Sequence, residues 1–196
     1  MIVNEIFYSL QGEGFQSGTP AVFVRFSGCN LRCPFCDTCH ENGTFMTEES
    51  IVDEVAKYPA GLVVVTGGEP SLQLTGSLVD KLHSLGKLVA VETNGTSELP
   101  ANVDWITLSP KEAFLGPQAT VVISRFDEVK VVYDGLHDPA GQLHSLDTKK
   151  AHLFLQPCDT GDMKRNIKTV QAAIEYIKQN PHWRLSLQIH KILNID

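Results

Sequence analysis

Apolar residues along this chain follow two periods that alternate. Short runs rich in β-branched and aromatic residues predict strands at Ile2–Ser9, Val22–Phe26, Leu62–Thr66, Leu88–Glu92, Trp105–Leu108, Val129–Val132, Leu153–Gln156 and Leu185–Gln188. Val63-Val64-Val65 and Leu88-Val89-Ala90-Val91 are apolar at every position, the pattern of strands covered on both faces in a parallel sheet. Stretches of helical period stand between the strands. Thr47 can cap a helix carrying Ile51, Val52, Val55 and Ala56 on one side, with Glu48 and Glu49 at its positive end. Leu74–Leu85 presents Leu74, Leu78, Val79, Leu82 and Leu85, and Gly86 is its expected stop. Met163–Lys178 presents Ile167, Val170, Ile174 and Ile177, and Pro181 bars its extension. Residues 113–126 and 134–146 read as loops.

Strand–helix alternation implies βαβ units, hence an α/β fold with a mostly parallel sheet. A closed eightfold barrel takes about 250 residues. The 196 residues here predict an incomplete, modified (β/α) barrel, with residues 1–196 forming one domain.

Sixteen Lys and Arg against 23 Asp and Glu leave a net charge of −7. That field argues against a nucleic-acid partner. No apolar run reaches the roughly 20 residues that span a membrane. Met1–Glu5 holds no basic stretch followed by an apolar one, so a cytoplasmic, reducing setting is expected. In that setting the cluster Cys29, Cys33, Cys36 and Cys39 points to metal binding before disulfides.

Cys29, Cys33 and Cys36 have the spacing C-x3-C-x2-C. Three thiolates on one loop can hold three irons of a [4Fe–4S] cube and leave the fourth open. Structural zinc is an alternative, with Cys39 or His40 completing a tetrahedral set. So is a four-cysteine electron-transfer cluster using Cys39. Cys36-Asp37-Thr38-Cys39-His40 also matches a haem-attachment pattern, which belongs to exported proteins.

The cysteine loop resembles that of the radical S-adenosylmethionine (SAM) superfamily. Val65-Thr66-Gly67-Gly68-Glu69-Pro70, at the end of an apolar strand, resembles its GGEP motif. The segment Ile6 to Gly14, with Leu10-Gln11-Gly12-Glu13-Gly14 at its end, resembles the substrate loop of the 7-carboxy-7-deazaguanine synthase family. Further matches are Phe23-Val24-Arg25-Phe26-Ser27-Gly28, Val91-Glu92-Thr93-Asn94-Gly95, Leu108-Ser109-Pro110-Lys111, Leu155-Gln156-Pro157-Cys158-Asp159 and Leu187-Gln188-Ile189-His190-Lys191.

The resemblance implies a homodimeric lyase with a barrel of the radical SAM type. It implies conversion of 6-carboxy-5,6,7,8-tetrahydropterin to 7-carboxy-7-deazaguanine, with loss of ammonia, on the way to queuosine and other deazapurines. A [4Fe–4S] cluster, SAM and Mg2+ are the implied cofactors, and a flavodoxin or ferredoxin the implied reductant. Cys29, Cys33 and Cys36 would ligate the cluster, and Thr38 would ligate Mg2+. Phe35, Cys36, Asp37, Gly68, Ser109, Pro110, Lys111, Gln156, Pro157, Cys158 and Asp159 would line the SAM site, Phe35 against the adenine. Leu10, Gln11, Gly12, Thr66 and Arg25 would contact substrate, Arg25 through its carboxylate, as would the terminal carboxylate of Asp196. Cys39 would be a bystander, since a fourth ligand would displace SAM. Glu92 and Asn94 are active-site candidates at a strand end. The alternatives are a glycyl-radical activating enzyme, which has no use for the 10–14 segment or Arg25, and a non-catalytic iron–sulfur or zinc module.

Overall fold

A computed structural model describes residues 1–38 and 42–195. The chain runs β1 (Ile2–Leu10), β2 (Pro20–Phe26), β3 (Thr44–Phe45), α1 (Glu48–Val55), β4 (Leu62–Gly67), α2 (Gly76–Ser84), β5 (Leu88–Thr93) and β6 (Trp105–Leu108). It continues α3 (Glu112–Leu115), β7 (Glu128–Tyr133), β8 (His152–Pro157), α4 (Met163–Gln179), β9 (Trp183–Leu185) and α5 (Ile189–Leu193). The nine strands form one sheet in the order β3-β1-β2-β4-β5-β6-β7-β8-β9. β1 runs antiparallel to β2 and β3; from β2 onward every neighbouring pair is parallel. The edge strands β3 and β9 do not meet, so the barrel is open, as the chain's length predicted.

Side chains of period two divide the sheet into two faces. Val22, Val24, Phe26, Val63, Val65, Val89, Val91, Leu108, Val129 and Val131 point outward into the main core. Helices cover that face with Ile51 and Val55 from α1, Leu78, Val79 and Leu82 from α2, and Ala173 from α4. Thr47 and Thr75 cap α1 and α2 by accepting from Ser50 N–H and Leu78 N–H, each at 3.1 Å. Gly86 (φ 73°) follows α2 in the left-handed conformation expected of its stop. On the inner face, Ala21, Phe23, Leu62, Val64 and Ala90 close the lower half of the lumen. Above them the same face turns polar, with Arg25, Thr66, Glu92, Thr107, Lys130 and Gln156.

One predicted strand is displaced. β9 spans Trp183–Leu185, not Leu185–Gln188. Its ladder with β8 ends at Leu155, where Ser186 N–H donates to the Leu155 carbonyl at 3.0 Å and Ser186 Oγ to Gln156 Oε1 at 2.8 Å. The chain then leaves the sheet and forms α5, a helix that the apolar alternation of Leu185–Gln188 concealed.

Candidate active site

The C-terminal ends of the parallel strands surround a cavity of about 550 Å³. This is the face on which (β/α) barrels place their chemistry. Cys29, Cys33 and Cys36 line it from the loop after β2, and all three are free thiols. Leu31 N–H donates to Cys29 Sγ at 3.4 Å, and Cys36 N–H to the Cys33 carbonyl at 3.2 Å. Burial pushes the Cys29 and Cys33 thiols above the usual range. Three soft sulfur donors on one cavity wall fit an iron–sulfur cube.

The turn after β4 is pressed onto this loop. Gly68 N–H donates to the Phe26 carbonyl at 3.0 Å, and Glu69 N–H to the Gly28 carbonyl at 2.9 Å. Glu69 is buried beneath the turn. Its carboxylate accepts from Thr93 Oγ1 at 2.7 Å, Asn94 N–H at 2.8 Å and Ser71 N–H at 3.0 Å, tying the turn to the end of β5. Asn94 Nδ2 in turn donates to Asn30 Oδ1 at 3.1 Å, within the cysteine loop.

Phe35, Asp37, Thr38, Gly68, Ser109, Lys111, Gln156, Pro157, Cys158 and Asp159 all line the same cavity, as do Leu10, Gln11, Gly12, Arg25 and Thr66. Pro110 is buried in the turn between Ser109 and Lys111 and does not line the cavity. Cys39, His40 and Asp196 lie outside the described residues. Phe35 meets Phe114 of α3 edge-on, ring centroids 4.7 Å apart. Lys111 Nζ donates to the Ser109 carbonyl at 2.8 Å, and burial lowers its pKa to about 8. Arg25 Nε donates to Glu5 Oε1 at 2.7 Å, because the antiparallel register of β1 and β2 sets these residues opposite each other. A guanidinium can also present its two terminal nitrogens as a fork to a carboxylate.

Motif reading missed part of the cavity wall. Lys130 and Glu13 line it, and so do Gln188, His190 and Lys191 from the start of α5. Lys191 Nζ bridges Asp37 Oδ2 at 2.7 Å and Asp159 Oδ2 at 2.9 Å, joining the cysteine loop to the loop after β8. Hydrogen bonds from Gly161 N–H, Lys191 and Asn166 hold Asp159 near a pKa of about 2. Burial works against the Asp37 anion, but Lys191 and Gln188 outweigh it and keep its pKa low. The alternation Glu128-Val129-Lys130-Val131 was a readable signal that Lys130 faces the lumen.

The open parallel barrel, the thiol triad and the GGEP turn together define the radical SAM class. The Radical SAM superfamily model matches residues 23–113. The chain is 50% identical over 193 residues to the 7-carboxy-7-deazaguanine synthase of Bacteroides thetaiotaomicron, covering 98% of this chain and 97% of that one. It is 41% identical over 215 residues to the synthase of that name from Caulobacter vibrioides, covering 98% of both. Among solved structures, QueE from Escherichia coli matches with a TM-score of 0.78 and 29% identity over 95% of this chain and 92% of that one. Streptococcus suis SuiB shares the fold alone, with a TM-score of 0.54 and 12% identity over 84% of this chain and 48% of that one. The chain belongs to the 7-carboxy-7-deazaguanine synthase family, and its cofactors are a [4Fe–4S] cluster and SAM.

Proposed function

We propose that this enzyme converts 6-carboxy-5,6,7,8-tetrahydropterin to 7-carboxy-7-deazaguanine and ammonia. One observation carries the reading. A single cavity is lined by a thiol triad, by Arg25 and by the Leu10–Gly12 loop. The three cysteines would hold the cluster. When bound, the cluster and SAM would supply radical, hydrogen-abstracting chemistry at the substrate.

The chain's own residues bind, orient and exclude water. Arg25 holds the substrate carboxylate through two parallel N–H donors. Gln11 and Gly12 supply amide and backbone contacts to the ring, with Thr66 beside them and Leu10 as an apolar wall. The Thr38 hydroxyl is a hard oxygen donor suited to Mg2+, which would share the substrate's oxygens and keep several waters. Phe35 would face the adenine, while Gly68, Ser109 and Lys111 would hold the rest of SAM. Gln156 through Asp159 close that side. α5 borders the cavity: Ile189 N–H donates to the Gly12 carbonyl at 3.2 Å, and Lys191 spans to Asp37.

We read residues 1–196 as one domain acting as a homodimer in the cytoplasm, reduced by a flavodoxin or ferredoxin. The net charge of −7 speaks against a nucleic-acid substrate. Among the described residues no helix is long and apolar enough to cross a membrane. Anaerobic turnover of cluster-reconstituted protein with SAM, Mg2+ and the synthetic pterin tests the reading. Deazaguanine product with one ammonia per turnover is expected. SAM cleavage without that product would overturn the substrate assignment.

A further inference from the structure

The loop from Gln11 to Phe15 belongs to no strand or helix, yet side chains from β5, from β7 and from the residue after β9 anchor it. Gln11 Nε2 donates to Glu92 Oε1 at 3.0 Å. The Glu13 carboxylate pairs with Lys130 Nζ, whose second neighbour is Glu92 Oε2 at 3.5 Å. Gly14 N–H donates to Ser186 Oγ and Phe15 N–H to Glu128 Oε2, each at 3.0 Å. A Cβ on Gly14 would overlap the Glu128 carboxylate, and one on Gly12 would overlap the His190 ring. Glycine at these two positions therefore lets the loop settle onto the lumen groups.

Lys130 is the hub of this arrangement. It is 5% exposed and rises from the middle of β7 into the polar half of the lumen. It is the cation that links the loop, through Glu13, to the strand-end acceptor Glu92, which also fixes Gln11. A buried ammonium paired with two carboxylates fixes all three groups, because moving either carboxylate away strands a charge in low dielectric.

We propose that Lys130 is a positioning residue for substrate, holding the Leu10–Gly14 loop in its binding geometry through Glu13 and Glu92. This rests on the reading above that the Leu10–Gly12 part of the loop touches the pterin. The Lys130 ammonium acts on the substrate loop, while the residue's contact to the proposed SAM side, Ser109 Oγ donating to the Lys130 carbonyl at 2.9 Å, is made by backbone and survives replacement of the side chain, so its loss is separable from loss of SAM.

The test compares wild type, Lys130→Met, Glu13→Gln and the double variant, each cluster-reconstituted, with melting curves to establish folding. Two rates are followed: product formation, and slow SAM cleavage without pterin. Lys130→Met should raise the pterin KM by roughly tenfold or more while the SAM KM and uncoupled SAM cleavage stay within twofold. Glu13→Gln should shift the pterin KM in the same direction, and the double variant should be less impaired than the product of the two single effects. If Lys130→Met does not fold, Glu13→Gln carries the test alone, with the same split between pterin and SAM expected. A pterin KM within twofold of wild type, or equal rises for pterin and SAM, would overturn the proposal. Failure of wild type itself to form the deazaguanine would instead reject the substrate assignment.

Discussion

Gly68 lies so close to Gly28 that a Cβ on Gly68 would overlap the Gly28 carbonyl, to which Glu69 N–H donates at 2.9 Å. This backbone-on-backbone contact holds the turn after β4 against the first residue of the cysteine loop. It makes the thiol triad and the GGEP turn one wall of the cavity.

Gly68→Ala must therefore push the two loops apart. SAM binding should weaken by roughly a hundredfold, while iron content falls less, since the thiols remain. Iron and sulfide analysis beside SAM titration of the cluster's spectrum measures both. Unchanged SAM affinity would show that the contact does not matter.

Glu69 is buried and acts only as an acceptor, toward Thr93 Oγ1, Asn94 N–H and Ser71 N–H. Glu69→Gln turns one acceptor into a donor facing donors. A loss of about 1–3 kcal/mol of stability is expected, read as a lower urea midpoint.

Glu128 carries a pH-dependent cost. Burial raises its pKa to about 7, against the opposing pull of Phe15 N–H and Lys130. A carboxyl with a raised folded pKa favours the fold fully below its unfolded value, and that contribution is lost as pH rises through the folded value. Glu128→Gln should thus be as stable as wild type near pH 4, and more stable above pH 7 by on the order of 1–3 kcal/mol. Denaturant midpoints across this range check it, and a constant difference would contradict the assignment.

Lys191 bridges Asp37 and Asp159 at a partly exposed site. Lys191→Met should cost no more than about 1 kcal/mol of stability. Its effect on SAM should be larger in kind, a several-fold rise in SAM KM with pterin KM nearly unchanged, if both aspartates line the SAM side as proposed. Steady-state kinetics in each substrate separate the two.

Much of this protein was legible before any fold was known. The paired periods of two and 3.6 located α1, α2 and α4 and the seven longer strands, and among strands missed only the short β3 and the true span of β9. The spacing of Cys29, Cys33 and Cys36, and the order of the motifs after them, assembled most of the cavity wall. Other members of the wall escaped. Lys130 looked like one more strand residue, and Lys191 belonged to a matching segment with no role. Pro110 sits in a lining motif but shapes the turn from behind it.

Local sequence carries covalent spacing and periodicity, which suffice for element type, sheet class and the donors on one loop. Partnership between distant residues is a different kind of information. Lys130 with Glu13, and Lys191 with Asp37, are 117 and 154 positions apart, and strand register and barrel curvature bring them together. The end of β9 at Leu185 likewise depended on its pairing with β8, because a strand exists only as far as its neighbour pairs with it.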